Sequence, residues 1–380
     1  MLRKWFLEVF FAILLLSLLL VRIELYTKEA MGYSSFGTDV GGIISQNTTW
    51  TLGNSPYVFV DTVTVASGAT LTIEAGVTVN MDFWSLRVEG ALHAVGNKTS
   101  KITINALEQQ LDYQWRIYLN DSSIPWNEAT GSGCIIEHAE INIWCLPYGI
   151  DGGSPRISNN SIHFTGETAI STDGIVSNNI ISGSGYRAIY PRGNVSILSN
   201  TIKGNIQTGI FVGESCTSPT ILGNIIEECS NGIIFSGGWK GYPYVANNTI
   251  VAGVNGFLFP SYMITQGFNN AKIIYNNICG GAYNAKVEKQ DPRITINLTY
   301  NWWGTTNTSI IDETIYDQKD DRSLCLVDYV PFLTSMAISE LSSMSILTLF
   351  MIITILTAIV YKRGRCVTVH TKQCCHTVAT

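Results

Sequence analysis

One short word recurs through the chain: an asparagine followed two residues later by an aliphatic residue. It reads SNNSI at 158–162, SNNII at 177–181, LSNTI at 198–202 and ANNTI at 246–250. Aligned on their last asparagine, the repeats fall at Asn160, Asn179, Asn200, Asn224, Asn248, Asn277 and Asn301, with gaps of 19, 21, 24, 24, 29 and 24 residues. Periods of this length, with Gly and Asn at the corners, indicate a solenoid.

A second word keeps a fixed phase with the first. A small residue followed by an apolar one comes 8 or 9 residues after each of the first five asparagines, as Ala169-Ile170, Ala188-Ile189, Gly209-Ile210, Gly232-Ile233 and Gly256-Phe257. The period is too short for a strand–helix–strand unit, and the residues alternate as in short strands. The repeat therefore predicts an all-β fold, a parallel β-helix solenoid whose coils stack about 4.8 Å apart.

The asparagine is expected at the corner of each coil. It tolerates the tight non-β conformation that a corner needs, and its amide can donate and accept along the stack. The predicted structural ladder consists of Asn160, Asn179, Asn200, Asn224, Asn248 and Asn277. The slot two residues later is expected to form an aliphatic interior column of Ile162, Ile181, Ile202, Ile226, Ile250 and Cys279. His138, 22 residues before Asn160, is predicted to occupy the asparagine position of an earlier coil.

Two apolar segments frame this body. Residues 341–361 carry no charge and are followed by Lys362 and Arg363, which predicts a transmembrane helix with a cytoplasmic tail. Near the start, the uncharged run at 9–21 has the length of a signal-peptide core, although an uncleaved anchor helix, and so a second span, stays open. We therefore predict a signal peptide or anchor at 1–30, a lead-in at 31–55, the β-helix at 56–300, a cap and stalk at 301–340, the span at 341–361 and a tail at 362–380.

The central part of the chain, residues 31–340, has a net negative charge and contains glycosylation motifs and cysteines. Residues 31–340 hold 15 Lys and Arg against 26 Asp and Glu, a balance of −11, which argues against nucleic acid as a partner. Placement outside the plasma membrane would make sequons available for glycosylation. It would also make the disulfides Cys134–Cys145 and Cys216–Cys229 plausible. Eight sequons occur, and the candidates are Asn47, Asn97, Asn120, Asn194, Asn247 and Asn307.

These words resemble a known family. ATLTIEAGVTVNM, LRVEGALHAVG and KITINA resemble the entry coils of cell-surface right-handed parallel β-helix proteins, and the Asn-x-Ile and Gly-Ile repeats are similar to those of the pectate-lyase-like superfamily. The repeats are shared there by carbohydrate-binding proteins, sugar hydrolases and a periplasmic protein that matures a copper site. NWWGT followed by VDYVPFL resembles a closing segment, with Trp302 and Trp303 over the last coil. The resemblance covers about 43–333 and implies the fold far more specifically than the activity.

The chemistry that the resemblance implies is largely missing from the sequence. The Gly-His-Gly and Arg-x-Lys motifs of the hydrolase branch do not occur, and the lyase branch needs clustered aspartates for Ca²⁺ together with a basic residue. Asp173 and Asp320-Asp321 are expected in solvated turns. We predict no catalytic residue, metal or cofactor. The tail, with Cys366, His370 and Cys374, is expected to be disordered rather than metal-binding.

A binding surface is better supported. The neighbours of the core residues in the Gly-Ile strands, Tyr190, Phe211, Ile234 and Leu258, are predicted to form an apolar stripe suited to sugar rings or a protein partner. Arg187 and Arg192 flank Tyr190 and could bind a sugar carboxylate. The predicted binding residues are Tyr190, Phe211, Arg187, Arg192, Trp239 and Tyr242.

These residues favour a membrane-anchored extracellular module, either structural or of an adhesion type that binds a surface glycan or a cell-envelope protein, without catalysis of its own. The alternatives are a polysaccharide-acting enzyme and a copper-handling accessory protein. An enzyme would require three or more ionisable side chains converging on one lateral face within two or three adjacent coils.

Overall fold

A computed structural model describes residues 37–106, 116–237, 242–260, 271–279, 281–288 and 291–337. The predicted segments at 1–30, 341–361 and 362–380, and Trp239, lie outside these residues. Within the described ranges, no helix combines the length and apolar character that a membrane crossing requires.

The chain forms two compact units. The first comprises the residues up to Val195 together with Gly204–Gln207, and the second comprises Ser196–Lys203 and the residues from Thr208 onward. The strands that lie in the first unit are β1 (Thr38–Ile44), β2 (Thr48–Trp50), β3 (Tyr57–Val65), β4 (Thr70–Ile73), β5 (Thr78–Asn80), β6 (Leu86–Val88), β7 (Ala91–Val95), β8 (Ile102–Ala106), β9 (Ile117–Leu119), β10 (Ile135–Glu137), β11 (Ala139–Gly152), β12 (Arg156–Ser158), β13 (Ser161–Ser171), β14 (Ile175–Ser177) and β15 (Ile180–Ile189).

The second unit continues the strand series and adds one short helix. Its elements are β16 (Ser196–Leu198), β17 (Thr201–Val212, whose middle residues belong to the first unit), β18 (Thr220–Leu222), β19 (Ile225–Glu227), β20 (Asn231–Phe235), β21 (Tyr244–Ala246), β22 (Thr249–Val251), β23 (Asn255–Phe259), β24 (Lys272–Ile274), β25 (Asn277–Ile278), β26 (Tyr283–Val287), β27 (Thr295–Asn297), helix α1 (Thr308–Glu313), β28 (Ile315–Tyr316) and β29 (Leu326–Asp328).

Each unit is built from stacked coils of parallel strands. In the first unit β2, β4, β7, β10, β12 and β14 pair in succession on one face. The long strands β11, β13 and β15 pair on another. In the second unit β16, β18, β21 and β24 continue the same pattern among themselves. All of these pairings are parallel, so the all-β parallel solenoid predicted from the repeat is confirmed.

Apolar columns fill the interior of each unit. In the first, residues in register from β3 to β15 are at most 3 % exposed, and they are Tyr57, Val79, Ile104, Ile141, Ile162 and Ile181. In the second, the corresponding column is Ile202, Ile226, Ile250 and Ile278. Burying one such side chain contributes about 1.5–3 kcal/mol, so these columns are the main stabilising element of the coils.

An asparagine ladder runs beside each column. In the first unit the Asn160 Nδ2 donates to the Asn179 Oδ1 at 3.0 Å. In the second unit each asparagine donates to the next, at 2.8–3.0 Å, through Asn200, Asn224, Asn248, Asn276 and Asn301. All seven are at most 3 % exposed, and the spare amide hydrogens reach main-chain carbonyls, for example from Asn248 to the Ile221 oxygen at 2.9 Å. The ladder therefore satisfies polar groups that the corner buries.

The ladder corrects the predicted register at one coil. Asn276, not Asn277, stands between Asn248 and Asn301. Asn277 lies in β25 opposite Thr249, where its amide donates to the Thr249 hydroxyl at 3.2 Å. Ile278 consequently fills the interior slot predicted for Cys279, which is only half-buried. Alignment on the last of two adjacent asparagines was wrong here, because Asn276 and not Asn277 is followed two residues later by an aliphatic residue, Ile278.

The corner conformation also belongs to a different residue. The left-handed backbone is adopted by the residue before each ladder asparagine, as at Asn159 (φ 58°) and Asn178 (φ 54°). His138 has the same conformation (φ 50°), so it is equivalent to Asn159 and not to the ladder. Ala139 occupies the ladder position, where its N–H donates to the Asn160 Oδ1 at 2.8 Å.

The end of the second unit departs from the simple repeat. Strand β28 pairs with β26, and β29 pairs with β27. The Asn307 side chain caps α1 by accepting from the Ser309 N–H, and Trp303 is 2 % exposed.

The six described cysteines are free thiols, so the two predicted disulfides are not formed. Five are buried, and burial raises the pKa of Cys216, Cys229 and Cys325 to about 12. They serve as small interior hydrophobes.

Candidate functional site

Strands β11, β13 and β15 create a lateral face on the first unit. Ile150, Ile170 and Ile189 lie in register and point into the core. The residues next to them point away from it, because neighbours on a strand face opposite sides. Asp151 and Ser171 are opposite each other on this face. The strands thus stack polar side chains from adjacent coils at one place.

Arg192 bridges two coils of this face. It forms an ion pair with Asp151, and its Nε donates to the Ser171 hydroxyl at 2.9 Å. Asp151 is only 2 % exposed. Its burial raises the pKa of the carboxyl, and the neighbouring Arg192 acts in the opposite direction. A buried carboxylate needs such a partner, so Arg192 holds it in the fold.

Two tyrosine rings lie beside this ion pair. The Tyr148 and Tyr190 rings are nearly parallel, 4° apart in plane, with centroids separated by 6.4 Å. The Arg192 guanidinium lies 5.6 Å from the Tyr148 centroid, and the Arg187 guanidinium lies 5.1 Å from the Tyr190 centroid. These are cation–π distances. Each ring therefore has an arginine beside it.

The five side chains act on one another electrostatically. Burial raises the pKa of Tyr148, as do Asp151 and Tyr190, while Arg192 and Arg187 lower it. We call Tyr148, Asp151, Arg187, Tyr190 and Arg192 the tyrosine–arginine cluster. Its members come from the coils of β11 and β15, on either side of the β13 coil, and its two arginines and one carboxylate leave one net positive charge.

The cluster contains three of the predicted binding residues, Arg187, Tyr190 and Arg192. Phe211 and Tyr242 belong to the second unit, and Tyr242 is 57 % exposed. In that unit Phe211, Ile234 and Leu258 lie in register, but Ile234 is 7 % exposed. The predicted apolar stripe is therefore not an open surface at its Ile234 position.

Sequence reasoning missed Tyr148 and Asp151. Asp151 lies 20 residues, one repeat, before Ser171, and 41 residues, two repeats, before Arg192. Extending the repeat spacing backward from Arg192 would have found it. The long Arg192 side chain contacts Ser171 one coil away and Asp151 two coils away, so its acidic partner lies beyond the adjacent coil.

Metal binding and N-glycosylation would involve residues outside the cluster. Nowhere in the described ranges do three or more His, Cys, Asp or Glu side chains gather closely enough to hold a metal ion. Of the six glycosylation candidates, Asn120 is half-buried and five are exposed, namely Asn47, Asn97, Asn194, Asn247 and Asn307. The Asn97 and Asn120 side-chain oxygens accept from the N–H groups of Thr99 and Ser122, both at 3.0 Å.

Comparison with known proteins agrees with this architecture. Residues 97–250 match the family model described as a right handed beta helix region. Neither the curated proteins nor the solved structures contain a match to the chain. The matched residues include all five members of the tyrosine–arginine cluster, which lie in β11, in β15 and directly after β15. The segment that builds the candidate site thus matches a right-handed β-helix region.

Proposed function

We propose that the protein is a membrane-anchored extracellular surface module whose β-helix binds glycans through the tyrosine–arginine cluster. The observation that carries this proposal is the pair of nearly parallel rings, Tyr148 and Tyr190, each with a guanidinium beside it. A saccharide ring presents an apolar C–H face to an aromatic ring and hydroxyl groups to polar neighbours.

The net positive charge of the cluster indicates which class of glycan it would bind. Arg192 is neutralised by Asp151, whereas Arg187 adds the net positive charge of the cluster. A guanidinium pairs with carboxylates in a planar, two-bonded geometry. A glycan with a carboxylate next to a neutral ring fits this arrangement better than a fully neutral one. The charge-free segment at 341–361 and the exposed sequon asparagines support an extracellular, anchored placement.

A glycan array tests the proposal on the full-length chain in a detergent without sugar groups. We expect binding to one class of acidic glycan and at least a tenfold loss of affinity in Tyr190→Ala, because one stacking surface is removed. Ile180→Ala is the matched control: Ile180 begins β15, the strand that leads to Tyr190, is 50 % exposed and does not belong to the cluster. Phe211→Ala tests the stripe predicted in the second unit. Equal affinity in wild type and Tyr190→Ala would rule out the cluster as the binding site.

A polysaccharide-acting enzyme is the second candidate. It is favoured because Asp151, Arg187 and Arg192 lie within three adjacent coils, beside Tyr148. The pKa values of Asp151 and Tyr148 are both raised, as is common at catalytic sites. The same glycans that bind would be incubated with the protein and their chain lengths followed by size-exclusion chromatography. Shortening that disappears in Asp151→Asn would assign catalysis to the cluster. Intact glycans would leave binding as its role.

A further inference from the structure

The corner of the second unit contains an unexpected pair of aromatic residues. The residues just before the ladder asparagines all have left-handed backbone, with φ between 53° and 65°, and they are Ser199, Gly223, Asn247, Tyr275 and Tyr300. Glycine and asparagine suit this conformation, and a bulky aromatic residue does not. The last two corners therefore contain strained residues where the repeat elsewhere uses small or polar ones.

Core packing does not compensate for this strain. Tyr275 is 42 % exposed and Tyr300 is 46 % exposed. Their backbones make ordinary corner hydrogen bonds, from the Tyr275 N–H to the Tyr300 oxygen at 2.8 Å, which any residue would make. Backbone strain in an exposed, bulky residue is typical of functional positions, where the side chain is needed for a ligand.

The two rings form one exposed unit. Their centroids are 6.2 Å apart and the planes are inclined by 49°. Asn247 precedes them in the same column, and Lys272, on the strand that leads to Tyr275, is exposed as well. Two aromatic faces bordered by polar side chains are small compared with a protein–protein interface. They suit a small ligand that has both an apolar face and hydroxyl groups.

We propose that Tyr275 and Tyr300 form a second saccharide site, which takes pyranose rings by stacking. Tyrosine offers a rigid aromatic face and a phenolic hydroxyl that hydrogen-bonds sugar hydroxyls. Recognition through ring faces does not require charge, so a neutral glycan is the expected ligand class. This site lies in the second unit and shares no residue with the tyrosine–arginine cluster. A negative result for one site therefore does not exclude the other.

Substitution by the residue that the corner prefers separates function from stability. In the double variant Tyr275→Asn/Tyr300→Asn, two strained residues are relieved and one exposed ring contact is lost. We expect the Tm to rise by about 2 °C. The matched control is Asn178→Tyr, which places an aromatic residue in the same conformation (φ 54°) in the first unit and should lower the Tm by a similar amount.

Binding is measured by titration calorimetry with neutral hexasaccharides of glucose, mannose, xylose and N-acetylglucosamine. The full-length chain is made in a bacterial host that adds no N-glycans, because Asn247 is itself a sequon next to the pair. We expect one hexasaccharide to bind, each Tyr→Asn variant to weaken binding at least tenfold, and Tyr275→Phe to retain most of it. Ile180→Ala, in the first unit and outside the tyrosine–arginine cluster, should leave this affinity unchanged.

Several results would overturn the proposal. One is failure of all four hexasaccharides to bind, and another is unchanged affinity in the Tyr→Asn variants. A fall in Tm of the double variant would show that the rings are structural. A third is protection of Tyr275 from chemical modification in glycosylated protein but not in the bacterially made protein. The sugar ring that stacks on Tyr275 would then belong to the chain's own glycan at Asn247.

Discussion

The two units have the same coil but place their polar groups differently. In the second unit the corner is a continuous line of five asparagine amides, from Asn200 to Asn301. Among the described residues of the first unit, the corner has only Asn160 and Asn179, preceded by Ala139, and the unit carries charge on its lateral face, where Asp151 pairs with Arg192. The comparison shows that one scaffold tolerates either solution, provided that each buried polar group has a partner.

The largest expected difference between the units lies in the ladder. The Asn248 amide donates to the Ile221 and Ala246 oxygens and to Asn276, and its oxygen accepts from the Asn224 N–H and side chain. Asn248→Ala leaves several of these buried groups without a partner, so we expect a loss of about 4 kcal/mol in the free energy of unfolding.

Asn160→Ala is the matched variant in the first unit. Asn160 donates to the Ile136 oxygen and to Asn179, and its oxygen accepts from the Ala139 N–H. With fewer bonds lost, we expect about 2 kcal/mol. Urea denaturation of both variants measures the difference. Equal losses would mean that the long ladder is no more cooperative than the short one.

Loss of the Asp151–Arg192 ion pair is expected to have the next largest effect on stability. Arg192→Ala leaves the Asp151 carboxylate buried without its cation. Because the arginine is itself about one-third exposed, we expect a cost of about 2 kcal/mol, less than for a fully buried pair. The double variant Arg192→Ala/Asp151→Asn should recover most of this loss in the same urea titration. No recovery would show that Arg192 stabilises the coils through packing on Tyr148 and not through charge.

The smallest effect is the pH dependence that Asp151 gives to the stability of the first unit. Burial raises the pKa of Asp151 above its ordinary value of 3.8, so the folded protein retains a proton that the unfolded chain has lost. The stabilisation from the protonated carboxyl is complete below that value and is lost as the pH rises through the folded pKa. Melting curves across this range should show the Tm of wild type falling relative to that of Asp151→Asn.

Removal of Arg192 sharpens the same test. Arg192 lowers the pKa of Asp151, so Arg192→Ala should raise it further and extend the loss of stability to higher pH. The Asn160→Ala variant, which carries no titrating change, should parallel wild type at every pH. A pH profile identical in wild type and Asp151→Asn would contradict the buried-carboxyl interpretation.

The repeat period predicted the coil and its interior well, because every coil must present an apolar residue to the core at the same phase. Ile162, Ile181, Ile202, Ile226 and Ile250 could be assigned from spacing alone, and all are fully buried. The coil with the adjacent asparagines Asn276 and Asn277 was misassigned by one residue. A strand reverses its faces with each residue, and the neighbouring coil selects Asn276 over Asn277.

The sequence by itself determined the parallel β-helix, since its repeated Asn-x-Ile and Gly-Ile words have few other ways to bury their apolar residues. Tertiary structure alone decided which side chains meet across coils. It joined Asp151 to Arg192 over 41 residues and placed Tyr275 beside Tyr300 in a backbone conformation that composition does not reveal. Side-chain reach, coil-to-coil register and the sign of φ are properties of stacked coils, and no single repeat contains them.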